Sequence, residues 1–217
     1  MRSPNGRLLA EETGVSANGT RNAYDLALGQ LDDGNFGLEA KMKLQWYFLD
    51  GPAGYWKPDE KQTFVDDWER EVRAAWDGQL VMTLADGRTV TLKLDFEQQI
   101  GGFMSDHWEM SVRYRGMKEG DVVGSAVTPG MGNVKLDNLD VMMRTDISQV
   151  PAAHEFGHML GLDDEYPDDS PHKADGASIM NSGMGVRPRH MEHFAEWAEK
   201  HIPGQIFTGL KKWLGGL

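Results

Sequence analysis

Across residues 41–48 the apolar side chains Met42, Leu44, Trp46 and Phe48 alternate with Lys41, Lys43, Gln45 and Tyr47. That two-residue period predicts a strand with one buried face. The breaker run Gly51-Pro52-Ala53-Gly54 ends it, and the spacing then changes. From Pro58 to Trp76, the residues Phe64, Val65, Trp68, Val72, Ala75 and Trp76 recur at helical intervals among charges, which predicts a long amphipathic helix lying on a sheet. Alternation returns over residues 80–84 and at Val90, Leu92, Leu94 and Phe96, joined through the hairpin signal Asp86-Gly87, and again at Trp108, Met110, Val112 and Tyr114. By contrast, the first forty residues carry turn chemistry (Asn18-Gly19, Asp32-Asp33-Gly34-Asn35). They predict a loop-rich lead-in over residues 1–38 with one short element. Strand, helix, several strands and then a helical C-terminal half read as an α+β fold. With no internal repeat or long linker, residues 39–217 are expected to form one domain of two lobes, 39–161 and 162–217, meeting at a cleft.

Composition narrows the chemistry. A length of 217 residues suits one ordinary domain, and 40% hydrophobic with 26% charged residues describes a chain that folds. The 22 Lys+Arg against 34 Asp+Glu leave a formal charge of −12, which argues against nucleic acid and anionic membrane surfaces as partners. The absence of cysteine excludes disulfides, thiolate metal sites and cysteine nucleophiles. The polar N-terminus does not read as a Sec signal peptide, and no apolar run is long enough to span a bilayer. A soluble protein is expected, one that would need another route or a larger parent chain to leave the cell.

The segment His154-Glu155-Phe156-Gly157-His158 fits the pattern H-E-x-x-H. On a helix, residues four apart share a face, so both imidazoles can reach one ion, while Glu155 lies about 100° around the axis, beside a bound water. Zinc in catalytic sites takes three protein ligands and leaves one position for water, whose proton a neighbouring carboxylate can accept. The pattern extends through Gly161 to Asp164. Gly161 can adopt positive φ, end the helix and turn the chain back, which brings Asp164 forward as third ligand. Asp163, His172 and His190 are competing donors, and Glu192 or Glu196 would serve in a gluzincin-type arrangement. The acids around Asp163 could also hold Ca²⁺, although no EF-hand spacing is present.

H-E-x-x-H-x-x-G-x-x-D followed by Ser178-Ile179-Met180-Asn181-Ser182-Gly183 resembles the metzincin clan of zinc peptidases. The third ligand in that clan is usually His and in a minority Asp. The resemblance implies a twisted mixed β-sheet, a long backing helix, an active-site helix and a smaller C-terminal helical subdomain. It implies one catalytic Zn²⁺, Glu155 as general base in peptide-bond hydrolysis, and Met180 in a tight turn beneath the metal. Where some members carry a metal-reaching Tyr, two residues after that Met, this chain has Ser182. Residues 123–137 resemble the edge strand and following strand of matrix-metalloprotease-like domains. That likeness implies substrate backbone along Gly124, Ser125, Ala126 and Val127, by addition of a strand. The resemblance spans roughly residues 122–193. The chain also looks like metallopeptidase domains carried as toxic cargo by bacterial contractile secretion systems, which implies a secretion-apparatus partner beside a protein or peptide substrate. A zinc-stabilised binding module without catalysis, and an amidase on a cell-wall or small amide substrate, are the rival functions. The tail, residues 203–217, with Ile206, Phe207, Leu210, Trp213 and Leu214, is expected to dock on its own domain.

Overall fold

The structure, a computed structural model, describes residues 6–17, 19–52, 54–115, 124–128, 130–144, 146–202 and 207–212. In chain order the elements are β1 (Arg7–Ala17), β2 (Thr20–Gln30), β3 (Phe36–Leu49), α1 (Pro58–Trp76), β4 (Leu80–Leu84), β5 (Thr89–Ile100), β6 (Trp108–Arg113), β7 (Ala126–Thr128), β8 (Asn133–Asp137), α2 (Pro151–Met159), α3 (Glu192–His201) and β9 (Phe207–Lys212), with a short 3-10 turn, Pro188–Met191, leading into α3. The fold is α+β, a mixed sheet with three helices.

Among the described residues nine strands form one sheet in the order β7-β8-β6-β3-β5-β4-β9, with β2 also on β3 and β1 on β2. The spine is β3. One edge runs parallel to β5 from Phe36↔Val90 to Trp46↔Ile100. The other edge is shared: β2 lies antiparallel to its first half and β6 parallel to its second, from Leu44↔Trp108 to Leu49↔Arg113. Beyond β6, β8 continues parallel and the short β7 closes the row antiparallel.

The expected loop-rich lead-in is corrected here, since its residues form the two long strands β1 and β2 and the start of β3. Two features hid them. β1 is mostly exposed and broken by register shifts, with Gly14 at φ 69°. β2 is buried almost continuously on both faces, with the Tyr24 ring 5.7 Å from Phe194 of α3, so its burial does not alternate. Of the tail, residues 207–212 pair antiparallel with β4; Trp213, Leu214 and Ile206 lie outside the described residues. No helix among the described residues is long and apolar enough to cross a membrane.

The apolar stripe of α1 lies on the sheet as its spacing predicts: Phe64, Val65, Trp68, Val72, Ala75 and Trp76 are all buried. Its aromatic rings meet those of β3 edge to face. Trp68 sits 5.3 Å and Phe64 6.1 Å from Trp46, geometry that adds about 0.5–1.5 kcal/mol per pair beyond area burial. This aromatic layer is what receives α2.

Candidate metal centre

Three of those rings grip one residue of α2. Phe156 is fully buried, and its ring packs edge-on against Trp68, Trp76 and Phe96 at 6.0, 6.1 and 5.7 Å. Trp76 also donates its indole N–H to the Ala153 carbonyl at 2.8 Å. Anchoring the helix through Phe156 sets its rotation, so His154 and His158, one turn apart, present rings only 4.9 Å apart. The helix ends in a Schellman motif: Gly161 N–H bonds the His158 carbonyl at 3.0 Å and Leu162 N–H the Gly157 carbonyl at 3.1 Å. That geometry needs positive φ at the first residue past the cap, and Gly161 has φ 98°. The chain doubles back, and Asp164 arrives opposite the two histidines.

The ring hydrogens are assigned by what each ring touches. His154 Nδ1 lies 2.7 Å from the Ile179 carbonyl oxygen and His158 Nδ1 2.7 Å from that of Leu162. A carbonyl only accepts, so in the neutral rings both Nδ1 atoms carry the proton and both Nε2 atoms present lone pairs. Those Nε2 atoms lie 3.2 and 3.3 Å from Asp164 Oδ1. Oδ1 is itself buried without a hydrogen-bond donor. With both rings neutral in this tautomer no hydrogen lies between Nε2 and Oδ1, whereas a protonated ring would donate Nε2–H to Asp164. In the neutral state three lone-pair donors thus face one point, a repulsion that a proton on one ring or a metal cation would relieve. One atom from each residue falls within 4.8 Å of the others, the sole such group among the described residues. Burial alone pulls the His158 pKa down, yet Asp164, the Leu162 carbonyl and Glu155 outweigh it, and the net displacement is upward. The pocket draws positive charge.

Glu155 is 7% exposed, and burial pushes its carboxyl above the usual carboxylate range against the pull of His158 and His154. The Val127 backbone N–H donates to it, while Oε2 is buried with no partner. No protein-family model matches the chain, and no curated protein matches its sequence.

Met180 lies under α2. It is fully buried, and its sulfur occupies the space beside Gly157 so closely that a Cβ there would overlap Sδ and come within 3.0 Å of Cε and 3.1 Å of Trp76 Cζ2. The Met180 turn is held by Gln149, whose Nε2 lies 2.9, 3.1 and 3.2 Å from the carbonyls of Ile179, Asn181 and Gly183. Glu165 joins that turn to the loop of Asp164. Its N–H bonds the Met180 carbonyl at 2.8 Å, and its carboxylate takes both arms of Arg189 at 2.6 and 2.7 Å. Burial would raise the Glu165 carboxyl, but Arg189, Ser178 and His190 outweigh it and hold it at about 2.

The other expected donors lie elsewhere. His190 is buried against Glu165 at 3.1 Å and accepts from Arg187 N–H. His172 and Asp163 line a cavity of about 550 Å³ beside Asp164, with Met180 and Arg189. Glu192 and Glu196 sit on α3, exposed. Of the four residues expected along the substrate, Ala126 and Val127 lie in the edge strand β7, paired to β8 on one side. Gly124 and Ser125 precede it, and the Ser125 hydroxyl is spent on buried Asp140. Gln149, Glu165, Asp140 and Tyr166, whose hydroxyl donates to Asp164 Oδ2 at 2.7 Å, have no sequence pattern that marks them.

Proposed function

We propose that the protein is a zinc-dependent endopeptidase of the metzincin type, in which His154, His158 and Asp164 hold the ion and Glu155 is the general base. The convergence of two bare Nε2 atoms and an undonated carboxylate oxygen carries this reading. Two nitrogens and one oxygen are a donor set suited to zinc with a fourth position open. Bound there, zinc would polarise a scissile carbonyl and make water acidic enough to lose a proton near neutral pH.

The chain's own residues supply the rest. Glu155 Oε2, without a partner and displaced upward in pKa, is suited to take a proton from water and return it to the leaving nitrogen. The hydrogen bond from Val127 ties that carboxylate to β7, so a peptide lying along the edge strand would be registered against the base. Support for the clan comes from α1 behind the sheet, the antiparallel edge strand beside parallel neighbours, and Met180 packed beneath the metal-binding helix. Departures are Asp164 in place of His, Ser182 in place of Tyr, and the added strands β1, β2 and β9.

The test is a pair of substitutions. Glu155→Ala is expected to bind stoichiometric zinc and lose hydrolysis of casein by about 10²-fold or more, whereas His158→Ala loses both. Equal rates in wild type and Glu155→Ala would refute the assignment of the base. Fully metallated wild type that leaves a broad peptide library uncut would refute the peptidase.

A further inference from the structure

Tyr166 is an exposed aromatic residue, 52% accessible, on the loop that carries Asp164. An exposed phenol normally bonds water. Here the hydroxyl donates to Asp164 Oδ2 at 2.7 Å, while the other oxygen of the same carboxylate, Oδ1, faces His154 and His158 at 3.2 and 3.3 Å. The two oxygens therefore have separate assignments.

We propose that Tyr166 is a positioning residue that restricts Asp164 to one-oxygen coordination, by occupying Oδ2 while Oδ1 meets the metal. This rests on the zinc reading above. A carboxylate can bind a cation through one oxygen or both. Two-oxygen binding raises the coordination number and suits larger, harder ions such as calcium, while low coordination with nitrogen donors suits zinc. An imidazole offers one nitrogen to a given ion, and in His154 and His158 the carbonyl bonded at Nδ1 makes that nitrogen Nε2. Asp164 lacks any such limit except through its second oxygen, and among the described residues Tyr166 is the group bonded there. The tyrosine does for the carboxylate what the Ile179 and Leu162 carbonyls do for the imidazoles. Each ligand then contributes a single atom, and the open position is left to water.

The test compares wild type with Tyr166→Phe, substituted with Co²⁺, whose visible d–d bands are intense at four-coordinate sites and weaken as coordination rises. The expected result is weaker visible absorption in Tyr166→Phe, with zinc affinity lower by about 10- to 100-fold in chelator competition, the usual effect of losing a partner of a metal ligand. Because the ring is half exposed, thermal melting of the metal-free forms is expected to coincide and serves as the check on folding. An unchanged cobalt spectrum overturns the proposal, even if hydrolysis falls. Failure of wild type to bind zinc or cobalt overturns instead the metal reading on which it stands.

Discussion

Gly157→Ala tests whether the packing between α2 and the Met180 turn sets the metal site. In an ordinary helix interior the change is favourable, since alanine is preferred over glycine by about 0.8–1.0 kcal/mol. Here the added methyl overlaps Met180 Sδ and comes within 3.1 Å of Trp76 Cζ2. Neither neighbour can retreat: Met180 is fully buried and Trp76 is 1% exposed and tied to Ala153. Overpacking of this kind costs about 1–3 kcal/mol, so the steric effect exceeds the gain in propensity. The expected net loss is up to about 2 kcal/mol, or a fall in Tm of up to about 8 °C for a chain of this size. Moving Met180 also moves its neighbour Ile179, whose carbonyl orients His154, so zinc binding should weaken by about tenfold or more. Differential scanning calorimetry and chelator competition measure the two effects. Shortening Met180 to Ala opens the space the new methyl needs, and the double variant should be less destabilised than the two single changes combined, by about 1 kcal/mol or more. A Gly157→Ala protein that melts at or above wild type with full zinc affinity would refute the reasoning.

Two further expectations concern stability. Arg189→Ala leaves the buried Glu165 carboxylate without its bidentate partner; because His190 and Ser178 still bond it, the expected loss is below the ~3–5 kcal/mol of a buried pair broken outright, and a urea midpoint equal to wild type would contradict it. Asp140 is 6% exposed, and burial beside Asp137 raises its carboxyl from 3.8 to about 7. A raised acid binds more protons folded than unfolded, so stability should fall as pH climbs from about 4 to about 7, by ~4 kcal/mol at most. Asp140→Asn, which keeps an oxygen for the Asp137 N–H now bonded at 2.6 Å, should flatten that slope, and parallel pH curves for the two proteins would contradict the assignment.

What could be read from the residues depended on how local the cause was. β3, α1, β4, β5 and β6 each have one buried face, so their periods of two and 3.6 stand out, and α1 and β4 occupy the residues expected. β1 and β2 were not legible, because one lacks burial and the other is covered on both faces, and neither condition leaves an alternation. The site divides in the same way. His154, His158, Gly161 and Asp164 are brought together by helical pitch and one turn, both encoded within eleven residues. Gln149 and Glu165 act through partners that only the folded chain supplies; Gln149 reaches carbonyls 30 to 34 residues away. The glycine between the histidines was legible as a residue but not as a requirement, since its reason is the sulfur of a methionine in another segment.

The carbonyl contacts that orient the two imidazoles have one more consequence. They come from separate stretches of chain: Ile179, whose carbonyl is also held by Gln149, and Leu162, whose N–H is fastened to the Gly157 carbonyl. Ordering of the ligands is therefore completed while the polypeptide folds. On the proposed metal reading an arriving ion would have only to shed water, and selectivity would be decided by a cradle whose dimensions the ion did not help to set.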